Sequence, residues 1–418
     1  MSNDINNPIT PSDWVPENSI IKVIGVGGGG CNAVNYMFKE KIAGCSFIVC
    51  NTDSQVLQRS AVPIKIQMGA GLGAGTDPVA GRNAALESQK EIAEKALDNG
   101  TQMLFITAGM GGGTGTGAAP VIAKMAKERG ILTVAVVTIP FKTDGLETQA
   151  KAVDGIHELE RNVDSLLIIN NNKLYEYFGD KLLHEAYPQV DEVLSTAVKG
   201  IIEIINKPGY INVDFRDVTN TMRDSGMALM GHGEGRGENR LEKAVKGAFE
   251  SPLLNDFDLK TAKNVLINIT VNNNDQGIRM SDMEEINDRI AQYTGIANKF
   301  KTGIIYDDTI GDAVMITAIA TGFDMGKLGD ITDINLGNLI ILSPDFTYKP
   351  SAHHGEETVD PYEGRNTIKI GFGNAEPRGR FLYDPENKPV LAVEPGQDRS
   401  SLENVSALQR LNADKVIQ

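Results

Sequence analysis

The chain has 418 residues, 41% apolar and 23% charged, the balance of a folded globular protein with room for two or three domains. Forty Lys and Arg stand against 55 Asp and Glu, a formal charge of −15, which argues against nucleic acid or an acidic membrane surface as the main partner. Cys31, Cys45 and Cys50 form no CxxC pair, so buried thiols in a reducing compartment are expected rather than a disulfide framework. The polar start of the chain holds no signal peptide, and no run approaches 18 apolar residues. A cytoplasmic protein without direct membrane insertion is the expectation.

Residues 1–18 read as a disordered N-terminal tail. Residues 20–26 are an apolar strand stopped by four glycines, Gly27 to Gly30, and residues 32–41 are helical in pattern. A second strand at 46–50 ends at Asn51-Thr52-Asp53. A glycine-rich loop (69–75) precedes a helix at about 78–99. Residues 103–107 form a third strand, 109–117 a second glycine loop, and 118–129 another helix. Strands at 132–139 and 165–169 follow. This alternation predicts a parallel sheet covered by helices on both faces.

From 190 to 205 the apolar spacing is again helical, and Pro208-Gly209 ends it. Residues 219–322 alternate strand and helix patterns more loosely, at 227–230, 238–249, 265–270, 282–293, 304–306 and 313–320, as in a smaller α+β domain. Residues 323–418 hold 7 of the 17 prolines with 15 acidic and 10 basic residues, and read as a mostly disordered linker and tail. Within it, 339–342 and 367–370 could add strands when bound. No internal repeat is present.

Gly25-Val26-Gly27-Gly28-Gly29-Gly30 fits G-x-G-x-x-G between a strand and a helix, and Asp53 ends the next strand where a ribose-binding acid would lie. An NAD(P)-dependent Rossmann oxidoreductase therefore has to be weighed. The second loop shifts the balance toward phosphate. Six glycines in the nine positions from Gly109 to Gly117 cost unfolded-state entropy unless the backbone must approach an anion closely. Thr114 and Thr116 add hydroxyl donors. No GxxxxGK[ST] occurs, so this is not a P-loop.

GGGTGTG at 111–117 resembles the signature of the tubulin superfamily, and the chain is similar to its FtsZ family of bacterial cell-division GTPases from about residue 20 to 323. The segments that carry the resemblance are IGVGGGGCNAVN (24–35), NTD (51–53), GLGAG (71–75), AGMGGGTGTGAAP (108–120), IPF (139–141) and NVDFRDV (212–218). It implies a Rossmann-like parallel-sheet GTPase domain (19–189), a central helix and catalytic loop (190–218), and an α+β C-terminal domain (219–322), followed by a disordered tail. GTP/GDP would be bound with Mg2+, and copies would polymerise head to tail to scaffold the division ring at mid-cell.

Carried over position by position, Gly28, Gly29, Gly30, Cys31 and Asn32 support the nucleotide, and Gly113, Thr114, Gly115 and Thr116 meet the β/γ-phosphates. Asp144 stands where the family has Glu, and Thr148 where it has Arg, so a cation beside the phosphates is lost. Asn171 keeps its place inside an altered Asn170-Asn171-Asn172, Glu192 replaces a guanine-reading Asp, and Ala70 replaces a basic residue. Asn212, Asp214 and Asp217 match the loop that inserts over the γ-phosphate of the next subunit. Taken alone, two acids three apart at a turn are more often a solvated surface or a helix cap. His157 and His184 lack supporting motifs, so a base donated by another copy would explain why the nucleotide side shows none.

Residues 403–411 are the nearest match to the family's C-terminal peptide for division-ring and membrane-tethering partners. A divergent filament protein that binds nucleotide but hydrolyses it weakly is the alternative that these departures raise.

Overall fold

The computed structural model describes residues 19–172, 182–207, 209–211, 213–250, 259–275, 277–294 and 299–323, with four short strands beyond. The chain divides into two compact units, residues 1–332 and 333–418.

The first unit opens with β1 (Ile21–Val26), α1 (Gly27–Lys39), β2 (Ser46–Asn51), α2 (Ser54–Arg59), β3 (Ile64–Gln67), α3 (Pro78–Glu87), α4 (Gln89–Ala96), β4 (Met103–Gly109), α5 (Gly113–Lys127), β5 (Leu132–Ile139), α6 (Leu146–Glu160) and β6 (Ser165–Asn170). It continues with α7 (Leu183–Asn206), β7 (Gly209–Ile211), α8 (Phe215–Met222), β8 (Gly226–Gly235), α9 (Arg240–Phe249), β9 (Asn264–Val271), α10 (Met280–Thr294), β10 (Lys299–Tyr306) and β11 (Val314–Phe323). Its strands join one sheet in the order β3-β2-β1-β4-β5-β6-β8-β11-β9-β10-β7.

Every residue of β1, β2, β5 and β6 is buried, as expected of parallel strands covered on both faces. Phe105 on β4 is fully buried, and Val198, Ile201 and Ile202 of α7 pack into the same core cluster as β1 and β4. Each such side chain contributes roughly 1.5–3 kcal/mol by leaving water.

Several expected boundaries shift. α1 and α5 begin at Gly27 and Gly113, not at 32 and 118, so both glycine runs form the first turns of helices. The helix expected over 78–99 breaks at Ser88 into α3 and α4. α7 starts at Leu183, seven residues before the expected 190. α2, β3 and α6 were not anticipated. In the second unit the strands expected near 339 and 367 pair within the chain, β12 (Leu339–Ile341) against β15 (Val390–Ala392) and β13 (Thr367–Lys369) against β14 (Arg380–Leu382). Among the described residues no helix is long and apolar enough to cross a membrane.

The parallel half of the sheet meets the mixed half where β6 pairs with β8 through Ser165↔Gly226 and its two neighbours. Asp164 pins that seam. Its buried carboxylate accepts the Thr133 N–H at 2.9 Å and the Asp224 N–H at 3.3 Å, while its carbonyl accepts the N–H groups of Ser225 and Gly226. Removing the carboxylate leaves two amide donors at the seam without their acceptor. Asp164→Ala should therefore cost about 2–4 kcal/mol, read as a lower urea midpoint, and Asp164→Asn, which keeps one acceptor oxygen, should cost less.

Candidate functional site

In a parallel sheet the crevice for a ligand opens where neighbouring strands send their chains to opposite sides. Here that point lies between β1, which leads outward to β2 and β3, and β4, which leads to β5 and β6. The two glycine-led helices start there, α1 from the end of β1 and α5 just past the end of β4.

Their starts touch. A Cβ built on Gly27, whose φ is +74°, would lie 2.8 Å from the Gly115 nitrogen, so the α1 entry tolerates no side chain. Neither helix has a side-chain cap or an acidic residue in its first turn. Two positive helix ends with unused N–H groups thus converge, an arrangement that suits an anion. The Gly113 N–H is taken by the Gly75 carbonyl at 3.2 Å.

The glycines divide by role. Gly28, Gly29 and Gly112 are exposed, and a Cβ on Gly28 or Gly112 would meet nothing within 4 Å, so their amide faces are open. At Gly30 a Cβ would run into the Thr107 carbonyl oxygen, and at Gly115 it would lie 2.5 Å from that of Gly109. Those two are glycine for packing.

The Thr114 hydroxyl lies 2.6 Å from the Thr52 hydroxyl, which places Thr52 at the cradle. Thr52 lies in the NTD segment (51–53), where nothing in the local pattern marks it for a role. Thr116 Oγ1 is buried and accepts the Gly111 N–H at 2.8 Å, so it shapes the loop. The Cys31 thiol is buried against the carbonyls of Gly25 and Cys50, and burial pushes its pKa up to about 12. Cys31 therefore has only backbone to offer a ligand, whereas Asn32 is exposed.

Beyond β5, Asp144 turns its carboxylate back to accept the Phe141 N–H at 2.9 Å, and the Thr148 hydroxyl donates to the Asp144 carbonyl at 2.8 Å. Thr148 also sits against Gly111, where a Cβ would approach it to 2.8 Å, so this position borders the phosphate loop without a cation. Asn171 follows β6, and its Oδ1 is buried with no hydrogen-bond partner among the described residues. Its neighbour Asn172 braces the loop, accepting the Lys142 N–H at 2.8 Å.

On α7, which packs against α1, Glu192 is exposed and, with Asp191, lies close enough to Tyr36 to raise its pKa beyond what desolvation does. Asp191 is the more buried of the two acids, and burial pushes its carboxyl up to about 6. Asp53, considered as a ribose acid, instead caps α2 by accepting the Gln55 N–H at 2.8 Å. Ala70 is exposed in the 69–75 loop beside the fully solvated Leu72.

The acidic loop lies elsewhere. Asp214 is the N-cap of α8 and accepts the Asp217 N–H at 2.8 Å, so the cap expected of such a pair forms. The Asp217 carboxylate is held by Lys301 at 2.8 Å. Asn212 lies outside the described residues. The loop follows β7, the edge strand, with seven strands between it and β1. At ~4.8 Å per strand, the loop stands about 35–40 Å from the glycine cradle along the sheet. Among the described residues no group of three or more His, Cys, Asp or Glu is placed to hold a metal ion.

Comparison with known proteins gives a consistent result. Residues 20–179 match the family model "Tubulin/FtsZ family, GTPase domain", and residues 226–324 match "FtsZ family, C-terminal domain". The cell division protein FtsZ of Porphyromonas gingivalis is 45% identical over 334 residues, 77% of this chain and 71% of that protein. FtsZ of Pseudomonas putida is 46% identical over 315 residues, covering 74% and 78%. Among solved structures, an empty FtsZ dimer from M. jannaschii aligns with a TM-score of 0.66 at 39% identity, over 72% of this chain and 88% of that one. A GDP-bound CetZ1 monomer from Haloferax volcanii, 18% identical with a TM-score of 0.64 over 75% and 97%, shares the fold.

Two expectations follow. Gly112→Val, entering open space, should leave the urea midpoint close to wild type yet weaken nucleotide binding at least tenfold by titration calorimetry, whereas Gly115→Val should lower stability outright. Asp191, with its folded pKa raised above the ordinary aspartate value, binds a proton more tightly when folded. Its ionisation therefore erodes stability as pH rises through the window from about 4 to about 6, and the full cost is present above it. Asp191→Asn should raise the urea midpoint at pH 7, and the gain should vanish by about pH 4.

Proposed function

The chain belongs to the FtsZ family of tubulin-like, filament-forming cell-division GTPases, and we propose that it hydrolyses GTP at a site that two copies build together. The observation that carries this reading is the separation of the glycine cradle from the acidic loop across the sheet. No side chain spans that distance, so Asp214 and Asp217 act on a neighbour's nucleotide or on none.

The amide faces of Gly28, Gly29, Gly30, Cys31 and Asn32, with Thr114, Gly115 and Thr116, would hold the phosphates at the paired helix ends, and Gly113, whose N–H goes to the Gly75 carbonyl, would shape the turn. Asp144 and Thr148 would border the ribose. Asn171 Oδ1, buried without a donor, and the Glu192 carboxylate would read guanine, whose N1–H and 2-amino group are donors. Mg2+ bound to the phosphates would offset their charge, taking most of its oxygens from phosphate and water.

From the next copy, Asp214 and Asp217 would orient and polarise a water, with Asn212 positioning the loop. Water adds to the γ-phosphorus and the bond to the β,γ-bridging oxygen breaks, releasing GDP and phosphate. Head-to-tail filaments complete every internal site. The division ring at mid-cell, on the cytoplasmic side, is the proposed place of action, with residues 403–411, which lie outside the described residues, docking membrane-tethering partners. A second reading, a filament protein with weak turnover, draws on Thr148, whose hydroxyl is spent on Asp144 and supplies no cation.

Phosphate release should show a protein-concentration threshold and vanish in Asp214→Ala. Mixing Asp214→Ala with Gly112→Val should restore part of the activity, since one offers an intact cradle and the other an intact loop. Unchanged turnover in Asp214→Ala, or an inert mixture that still forms filaments, would overturn the shared site.

A further inference from the structure

The acidic loop is seated on β10. A Cβ on Gly303 would lie 2.8 Å from Val213 Cγ2, so the buried Val213 rests on the glycine just before the loop turns outward. Two residues earlier on the same face of the strand stands Lys301. Its ammonium meets Asp217 Oδ1 at 2.8 Å, and this hydrogen bond, with the charge of Asp217 and then of Asp214, raises the lysine pKa above its usual range. The Lys301 side chain is 55% exposed and that of Asp217 is 23% exposed, so the pair sits at the rim of the loop. Arg216 lies between the two acids, exposed and without a partner among the described residues. The loop and its strand thus present two carboxylates balanced by two cations.

That balance matters for the approach the reaction requires. Two uncompensated carboxylates advancing on a polyphosphate would be repelled at each step of closure, most strongly as water is squeezed out. A lysine on Asp217 removes one of those charges and fixes the rotamer of the other partner in the pair.

We propose that Lys301 is a positioning residue of the hydrolytic site, holding the Asp217 carboxylate in place and cancelling its charge as the loop docks over the phosphates of the next copy. This rests on the shared-site reading above. The structure ties Lys301 to the Asp217 carboxylate, and the Asp217 N–H to the Asp214 carboxylate, so one short chain of contacts links the three residues.

The test measures phosphate release per polymerised subunit, with polymer quantified by sedimentation, in full-length wild type, Lys301→Met, Lys301→Arg and Asp214→Ala. Lys301→Met should fold with an unchanged urea midpoint, polymerise, and lose about tenfold in turnover per polymerised subunit. The deficit should shrink as ionic strength rises, because salt screens the unbalanced carboxylate. Lys301→Arg should recover turnover to within about threefold of wild type.

Wild-type turnover in Lys301→Met overturns the proposal. So does equal loss in Lys301→Arg and Lys301→Met with no response to salt, which would mark a packing role for the stem alone. Asp214→Ala separates the two readings. If it keeps its activity the shared site itself fails; if it is inactive while Lys301→Met is normal, only the role of Lys301 falls.

Discussion

The contact between the starts of α1 and α5 is the constraint on which the rest of the nucleotide half depends. Each helix end carries the equivalent of roughly half a positive charge, and bringing two together with no acidic residue in either first turn is unfavourable until an anion arrives. Gly27 and Gly115 must be glycine because the backbones touch, and Gly30 must be glycine so that α1 can lie against β4. The sheet order places both helix starts at one crevice. An anion placed there would offset the two converging positive ends, so a bound nucleotide would add to stability.

The parallel half was legible in the sequence because its strands are short apolar runs bounded by glycine, and those runs fall where β1, β2, β4, β5 and β6 form. The helix starts were misplaced for one reason. Glycine is a poor helix former, so a run of it reads as loop, yet at a first turn the residue is chosen for close approach rather than propensity. Asp164, Thr52 and Lys301 were illegible for another. Each acts through a partner 31, 62 or 84 positions away, and no local pattern announces such a pair. The acids at 214 and 217 could be found, but not their distance from the cradle, which only the strand order reveals.

That distance gives the molecule a head and a tail. Exposed Leu72 in the 69–75 loop and Leu146 at the start of α6 lie on the nucleotide side, while exposed Tyr210, Ile211, Phe300 and Tyr306 line β7 and β10 on the other, with the rings of Tyr210 and Tyr306 6.4 Å apart. Apolar side chains at both ends of an asymmetric subunit suit a heterologous contact, which yields a filament where its rotation does not close a ring. On the proposed shared site, hydrolysis would report on assembly, because a subunit at an open end would lack one half of its chemistry.

The distribution of cations extends the same logic. On the nucleotide side Thr148 and Ala70 supply none, whereas the acidic loop is flanked by Arg216 and Lys301. A cation fixed beside the cradle would stabilise bound nucleotide in every subunit, polymerised or free, and so would raise affinity without favouring the transition state. A cation carried on the opposing face contributes only when the loop is docked. On the proposed shared site, Lys301 would offset the Asp217 charge only where the loop is docked, so its effect would fall on hydrolysis in the filament rather than on nucleotide affinity in the free subunit.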